Sequence, residues 1–467
     1  MAETIHSQES TGKSKRREKN TNAHCPDLPN TRKHHRGLLA DTIGRSLCMR
    51  RIDFSTGEQD PDRVPLSLSR YSSKADSLLS PYLTAPSLAS PSGETLTANS
   101  YAKIQKDIEI PHNRIVSADG NASTEDMERL ATQYGQASHM GLHDPSYKVF
   151  INRNRTGGVC FKVLSKVAVV TGDPLCHSSL TPHVLREFKQ YRRRFRWGIA
   201  FLGAGEGLVN HARQNSKKWT ILQFGKERVL NPVTNEVICE TAGKRILTQN
   251  RQLLNASKGG IILHIYTPSS HQLDLGLEQE LRAVYDKWRT TRNQSGKPQA
   301  FITEYDPFLI PSLMSYIYTR GPHGKANGFA ALRWIGAKSG YHVDPCVAAP
   351  GARKGITDLL LFACMAWLRQ LGITYMSVGY EPSPLLNVAE GSGTPVSVAY
   401  LTQRIYRSVF ARLPLAGKRA YFGKFKPDVE QDSPVFVIFP SRIPEPRRVV
   451  AVAHVSNISI RGLILGR

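Results

Sequence analysis

The run from Ile356 to Gly372 narrows the possible folds of this chain more than any other stretch. Leu359, Leu360, Ala363, Ala366, Trp367 and Leu371 recur there at the spacing of a helix with an apolar face. Directly ahead of it, Pro350 and Gly351 mark a turn, Arg353 and Lys354 supply two cations, and Gly355 precedes the first helical residues. A loop that opens a helix offers unpaired backbone N–H groups and the positive end of the helix dipole, which suits an anion, most often a phosphate. Asp358 stands one turn inside the same helix, close to whatever the loop holds. An ordinary capped helix with solvated basic residues satisfies the same letters.

Bulk composition agrees with an anionic partner. The chain of 467 residues has room for two domains of ordinary size and carries a formal charge of +24. Residues 1–100 hold 14 Lys and Arg against 11 Asp and Glu, so +21 of that charge belongs to the remainder. Such an excess points to RNA, DNA or an acidic membrane face. Seven cysteines lie scattered, with no C-x-x-C pair and no histidine at zinc spacing. That pattern predicts reduced core thiols and no structural metal site. No apolar h-region follows Met1 and no run of about 20 apolar residues occurs. The expectation is a cytoplasmic chain, without secretory signal or membrane span, that meets membranes only from their surface.

Residues 1–112 read as a disordered leader, rich in Ser, Thr, Pro and charge, with a basic arm at 13–17. Beyond it, Ser123 or Thr124 should cap a helix running through Tyr134. Strands are expected at 147–152, 158–164 and 166–171, then a helix at 182–196 bearing Lys189, Arg192, Arg193 and Arg194. A strand at 198–202, a helix at 206–215 and a strand at 220–224 follow. A basic helix at 243–256, with Lys244, Arg245 and Arg251, leads to a strand at 261–266 and a helix at 275–292. A second unit has strands at 312–318, 327–335 and 340–345, the apolar helix, a strand at 374–379, a helix at 396–413 and a strand at 435–439. The order β-turn-β-turn-β-loop-helix-β thus occurs twice, which predicts an internal duplication in an α/β (α+β) chain. Domain bounds of 113–300 and 301–440 are expected, the second holding the site, with a basic and apolar tail at 441–467. That tail reads as a last strand or packing segment that could also rest on a bilayer.

Several short motifs, in order, resemble the C-terminal domain of the phosphatidylglycerol lysyltransferases, the lipid aminoacyl-tRNA transferase family. They are Gly172-Asp173-Pro174 after an apolar strand, the basic helix from Gly243 to Arg251 closed by Gly259-Gly260, and Tyr341-His-Val-Asp344 on a strand. Gly355-Ile-Thr-Asp358, Val378-Gly379-Tyr-Glu-Pro382 and Phe422-Gly-Lys424-Phe425-Lys-Pro427 resemble a helix start, a Gly-x-x-Pro turn and the family's closing motif. The likeness covers residues 120–440. It implies two tandem acetyltransferase-like (GNAT, or dupli-GNAT) units after the leader. Departures are present: Pro345, Cys346 and Val347 follow Asp344 where the family continues Leu-x-Arg, and Phe422 stands where a lysine is usual.

The resemblance further implies transfer of an amino acid from aminoacyl-tRNA to a lipid hydroxyl, with no cofactor. Asp358 or Asp344 would hold the substrate ammonium or act as general base, and Lys424 would meet developing negative charge. Arg353, Lys354 and Gly355 would take the tRNA 3′ end, while Glu381, beside Gly379, would sit near the hydroxyl or the amino acid. Lys189, Arg192, Arg193 and Arg194 on one basic helix, and Lys244, Arg245 and Arg251 on the other, would grip tRNA or anionic headgroups. Freestanding fungal-type relatives suggest a sterol 3β-hydroxyl as acceptor; phosphatidylglycerol is the alternative. An acetyl-CoA-dependent N-acetyltransferase and a non-catalytic module that tethers RNA or acidic membrane are the competing classes. Oligomeric state leaves no mark in these letters.

Overall fold

The computed structural model describes residues 38–53, 114–117, 119–214, 218–270, 273–294, 306–411 and 416–458. Its elements begin with α1 (Leu39–Asp53), β1 (Ile115–Ser117), α2 (Thr124–Tyr134), β2 (Lys148–Ile151), β3 (Gly158–Leu164) and β4 (Val167–Thr171). Next come α3 (Thr181–Arg194), β5 (Gly198–Ala204), α4 (Glu206–Arg213), β6 (Thr220–Leu230), α5 (Lys244–Leu254), β7 (Ile262–Tyr266) and α6 (Leu275–Gln294). The chain continues with β8 (Met314–Arg320), β9 (Ala326–Ile335), β10 (Gly340–Ala348), α7 (Ile356–Gln370) and β11 (Met376–Val388). It ends with α8 (Val396–Phe410), α9 (Ala416–Gly423), β12 (Ser433–Phe439) and α10 (Pro446–Val455).

Among the described residues one twelve-stranded sheet runs β1-β2-β3-β4-β5-β12-β6-β11-β10-β9-β8-β7. The duplication expected from element order is present. Strand, helix, three antiparallel strands, crossover helix and a parallel strand occur first as β1–β5 with α2 and α3, then as β7–β11 with α6 and α7. This is the tandem GNAT-like arrangement, an α/β fold. The second repeat starts at β7, so the expected bound at 300/301 falls inside it. At the other end β12 returns to the first half and pairs with both β5 and β6. Strand pairing, a long-range property, set these limits; local composition could not.

Local chemistry explains the elements. Ser123 caps α2 in a reciprocal box: its side chain accepts from Asp126 N–H, and the Asp126 carboxylate accepts from Ser123 N–H. The face of α3 carrying Val184, Phe188 and Tyr191 is buried on β2, β3 and β5, with the Phe188 ring 5.0 Å from Phe161 and 5.4 Å from Phe150. The tail is a packing segment, one of the two expected readings, and it is a helix where the other expected a strand. Pro446 at the first helical turn starts α10, whose Ala451, Val452 and Val455 pack under the first half of the sheet. Residues 459–467 of that tail lie outside the described residues.

Helix α7 is buried on all sides: Ile356 and every residue from Asp358 to Leu368 are inaccessible or nearly so. The sheet covers one side, while α5 and α1 cover the other. Placing residues 39–53 in a disordered leader is therefore corrected. Ala40, Ile43 and Leu47 recur at helical spacing and insert against α7, because a helix with no polar face needs a lid. The rest of the leader, residues 1–37 and 54–112, lies outside the described residues. The lid sits close: a Cβ on Gly44 would stand 2.5 Å from the Ala366 carbonyl oxygen and 2.5 Å from Gln370 Cγ. Gly44→Ala is predicted to lift α1 and cost about 1–3 kcal/mol of stability. Urea unfolding checks the cost, and protease cleavage within residues 38–53 should rise with it.

Candidate active site at the parting of two strands

The two parallel strand pairs differ. In the first half β4 and β5 stay zipped through five registered pairs, Val167↔Gly198 to Thr171↔Leu202. The turn beyond them is sealed. Asp173 Oδ1 accepts from Gly205 N–H at 2.7 Å and Oδ2 from Leu208 N–H at 3.3 Å, which ties the turn to the start of α4. Gly172-Asp173-Pro174 is thus a closing device. In the second half β10 and β11 register only at Tyr341↔Met376 and His342↔Ser377. They then part, and β11 bulges between Ser377 and Tyr380 in its pairing with β6. The segment expected as a Gly-x-x-Pro turn is this bulged strand. Ligands of α/β sheets gather where adjacent strands diverge.

Asp344 and Gly379 follow the last registered pair on either side of this opening. Gly379 has φ +85°, and a Cβ there would stand 3.3 Å from His342 Cε1 and 3.5 Å from Lys418 Nζ. Glycine is therefore required by the backbone, and the Lys418 ammonium stands at ordinary contact distance from it. Lys418, on α9, has an exposed stem whose ammonium reaches inward to this point. Burial lowers the pKa of that ammonium, while Asp344 and Glu381 nearby hold it up. Burial raises the Asp344 pKa, opposed by Lys418 and by Arg333 of β9. His342, desolvated and beside the same two cations, is held well below the usual imidazole range and is neutral at pH 7. Tyr285 of α6 also senses the Asp344 charge. Neither Lys418 nor Arg333 carries a local signal in the sequence; only the fold brings them to Asp344.

Beside this opening lies a cavity of about 300 Å³ whose walls include Val378, Gly379, Tyr380, Pro382, Phe410 and Phe422. Its polar wall is Glu381 between two arginines, 3.3 Å from Arg228 Nε and 3.4 Å from Arg419 Nε. Arg228 also pairs with Asp432, which Lys226 Nζ approaches to 2.9 Å. Arg228, Lys418 and Arg419 about the carboxylate of Glu381 make a polarised rim on an apolar cavity, suited to a molecule with a charged head and an apolar body.

The other expected site residues divide. Asp358 and Lys424 meet, with Lys424 Nζ 2.5 Å from Asp358 Oδ1 and 4.1 Å from the centroid of the Tyr421 ring. They neutralise each other at the start of α7, so Lys424 is a partner of Asp358 before it is a partner of any substrate. Cys346, two residues beyond Asp344 on β10, lies within reach of all three charges. Burial above all, then Asp358 and Asp344, push its thiol up to about 12. Asp344, Asp358 and Lys424 therefore share one neighbourhood, although Asp344 takes its cations from Lys418 and Arg333.

In the loop before α7, the Arg353 guanidinium donates to the Lys258 carbonyl at 2.7 Å, and Gln249 of α5 donates to the Lys354 carbonyl at 2.9 Å. Gly355 has φ +97°, and a Cβ there would strike Gln249 at 2.3 Å. The loop is thereby laced to α5, and the exposed Lys354 side chain is its outward cation.

The basic helices part company. On α5, Lys244 and Arg245 are exposed, whereas Arg251 Nη2 lies 2.6 Å from Glu240 Oε2. Glu240 in turn accepts from Leu39 N–H at the start of α1. On α3, Lys189, Arg193 and Arg194 are exposed, but Arg192 folds back to donate to the Trp197 carbonyl at 2.6 Å. Burial lowers the Arg192 pKa, as do Arg448 and Arg193. Helix α3 covers strands of the first half of the sheet that stand four to seven places from β10, or roughly 20–35 Å. Arg192 and Arg251 are thus structural cations, and α3 does not join the opening. No helix among the described residues is long and apolar enough to cross a membrane.

Comparison with known proteins agrees with this architecture. Lysylphosphatidylglycerol biosynthesis bifunctional protein LysX of Rhodococcus jostii (strain RHA1) is 22% identical over 273 residues, 58% of this chain and 23% of LysX. The counterpart in Rhodococcus opacus (strain B4) matches to the same extent. The match thus spans about a quarter of the length of these curated relatives. The C-terminal domain described as that of a lysylphosphatidylglycerol synthetase from Agrobacterium fabrum shares the fold. Its TM-score is 0.54 at 17% identity, over 72% of this chain and 98% of that one. L-PGS from Bacillus licheniformis does so with a TM-score of 0.53, again at 17% identity and over 72% and 98% of the two chains. The family described as phosphatidylglycerol lysyltransferase, C-terminal, matches residues 128–436, two thirds of the sequence and nearly the whole sheet, and this chain belongs to it.

Proposed function

We propose that this chain transfers an aminoacyl group from tRNA to the hydroxyl of a membrane phospholipid of the phosphatidylglycerol type. The observation that carries the reading is the opening between β10 and β11, with Asp344 and Lys418 beside an apolar, arginine-rimmed cavity, in a member of this family. A sterol acceptor finds no support in the comparisons, whose named relatives are lysylphosphatidylglycerol proteins. The arginine rim suits an acceptor with a phosphate.

In this reading the lipid oxygen adds to the aminoacyl carbonyl carbon, and its proton passes to the Asp344 carboxylate. The carbonyl oxygen gains negative charge, which the Lys418 ammonium offsets. The tetrahedral adduct collapses, the bond to the ribose oxygen breaks, and the ribose oxygen takes the proton that Asp344 received, which restores the carboxylate. One ester replaces another, so neither ATP nor a metal ion enters the balance. Arg228 and Arg419 would hold the acceptor's phosphate, and Phe410 and Phe422 its apolar part. Lys354, with Lys244 and Arg245 on the neighbouring α5, would meet the tRNA backbone.

The deciding experiment supplies tRNA charged with radiolabelled amino acids to vesicles containing either phosphatidylglycerol or a sterol. Label is expected in the phospholipid. Label confined to the sterol would overturn the acceptor, and acetyl transfer from acetyl-CoA with no lipid product would overturn the reaction.

Asp344→Asn is predicted to lower kcat/KM by about 10²–10⁴-fold. The wild-type profile should be a bell narrowed from both sides. Its acid limb lies above the ordinary carboxylate range because the Asp344 pKa is raised, and its alkaline limb lies below that of a free lysine because the Lys418 pKa is lowered. Lys418→Met should remove the alkaline limb. Replacing Lys244 and Arg245 by Gln is predicted to weaken tRNA binding and reduce its salt slope by about one for each phosphate no longer neutralised. Filter binding across a salt series measures that slope.

A further inference from the structure

Helix α8 has two unlike faces. Inward, Tyr406 donates to the carbonyls of Ser383 (2.8 Å) and Phe224 (3.2 Å), and Gln403 to that of Leu386 (3.0 Å), which fixes the helix on β11 and β6. Outward stand Val396, Tyr400, Leu401 and Ile405, exposed by 87%, 65%, 57% and 56%. Arg404 and Arg407 share that arc, and all six fall within one half of the helical circumference. No residue of α8 is buried. A water-facing helix normally turns its apolar residues to the core; this one spends them on the outside, where burial by a partner is the favourable outcome.

Three observations say what covers the face. The helix contains no carboxylate, and the whole stretch 391–427 carries seven Lys and Arg with no Asp or Glu. An apolar arc interleaved with arginines fits the boundary between headgroups and acyl chains of an anionic bilayer. The C-terminal end of the same helix is also a wall of the cavity, through Phe410 and Ala411. A surface resting on a bilayer by this arc would set the cavity beside the lipid that enters it.

We propose that the outward face of α8 is a membrane-docking surface, which seats this chain on an anionic lipid bilayer next to the acceptor cavity. The link to the cavity rests on the transferase reading above; the docking itself does not.

The test uses the full chain and vesicles of phosphatidylcholine alone or mixed with phosphatidylglycerol, with binding measured by flotation. Leu401→Glu combined with Ile405→Glu is expected to weaken binding at least about tenfold on mixed vesicles. Arg404→Gln with Arg407→Gln should weaken it by about fivefold per arginine on mixed vesicles, and hardly at all on phosphatidylcholine. Ile262→Glu, an exposed position on the edge strand β7 at the far end of the sheet, should bind as the parent does. Circular dichroism and urea unfolding establish that each variant is folded. Unchanged vesicle binding by the folded Leu401→Glu, Ile405→Glu protein overturns the proposal. So does a change only in its molecular mass in solution, which would assign the face to a second copy of the chain. Transfer to lipid dispersed in detergent micelles separates the two readings. Activity retained there but lost on vesicles supports docking as a delivery step. Docking that is lost in the variant, while the parent transfers nothing in either form, supports the surface and overturns the transferase.

Discussion

The burial of α7 is the constraint from which the rest of the second half follows. A helix whose Ile356, Asp358 and next ten residues are all hidden has no face to show to water, so it must be enclosed as well as supported. The sheet supplies the floor, and α1 and α5 supply the roof. Enclosure then fixes where the helix begins, beside the parting of β10 and β11. It also draws the Asp358 carboxylate out of bulk solvent, which is costly unless a cation follows. Lys424 is that cation, 66 residues later in the chain. The pair consumes two of the charges that sequence reasoning assigned to chemistry and leaves Asp344 and Lys418 across the opening.

The duplicated halves have taken opposite courses from one plan. In the first, the parallel strands stay together for five pairs, and Asp173 stitches the following turn to α4. In the second, two pairs suffice before the strands separate, and a glycine with positive φ keeps the gap free of side-chain carbon. Between the halves, the buried Arg333 of β9 donates to the carbonyls of Gln136 and Ala137, beyond α2. The same guanidinium offsets the charge of Asp344. Cohesion of the two repeats and the electrostatics of the opening thus share one residue.

Much of the fold was legible because strands and helices announce themselves by period. The two repeats, the Ser123 cap and α7 all follow from local pattern. Helix α1 was legible in principle, through Ala40, Ile43 and Leu47, but its apolar positions are few and stand among polar letters. The site was legible only as a neighbourhood. Asp344 and Asp358 lie on the strand and the helix start that their motifs suggested, while Gly379 stands on a bulged strand and not in a turn; which cation answers which carboxylate depends on pairings dozens of residues apart. Within Arg192-Arg193-Arg194 the letters are identical, and only the chain's return at Trp197 makes the first of them structural. The place of β12 between β5 and β6 had no local signature.

That last placement bears on how the molecule is made. As the polypeptide leaves the ribosome, β5 and β6 emerge more than 200 residues before the strand that joins them. Until residue 439 is out, the early half holds two open edges, each able to recruit a stray strand. Because β12 follows the second repeat yet fills the place between β5 and β6, the first repeat does not complete its sheet by itself. A chain severed in the middle would give two fragments that need each other, and vectorial synthesis must pass residue 439 before the sheet can close.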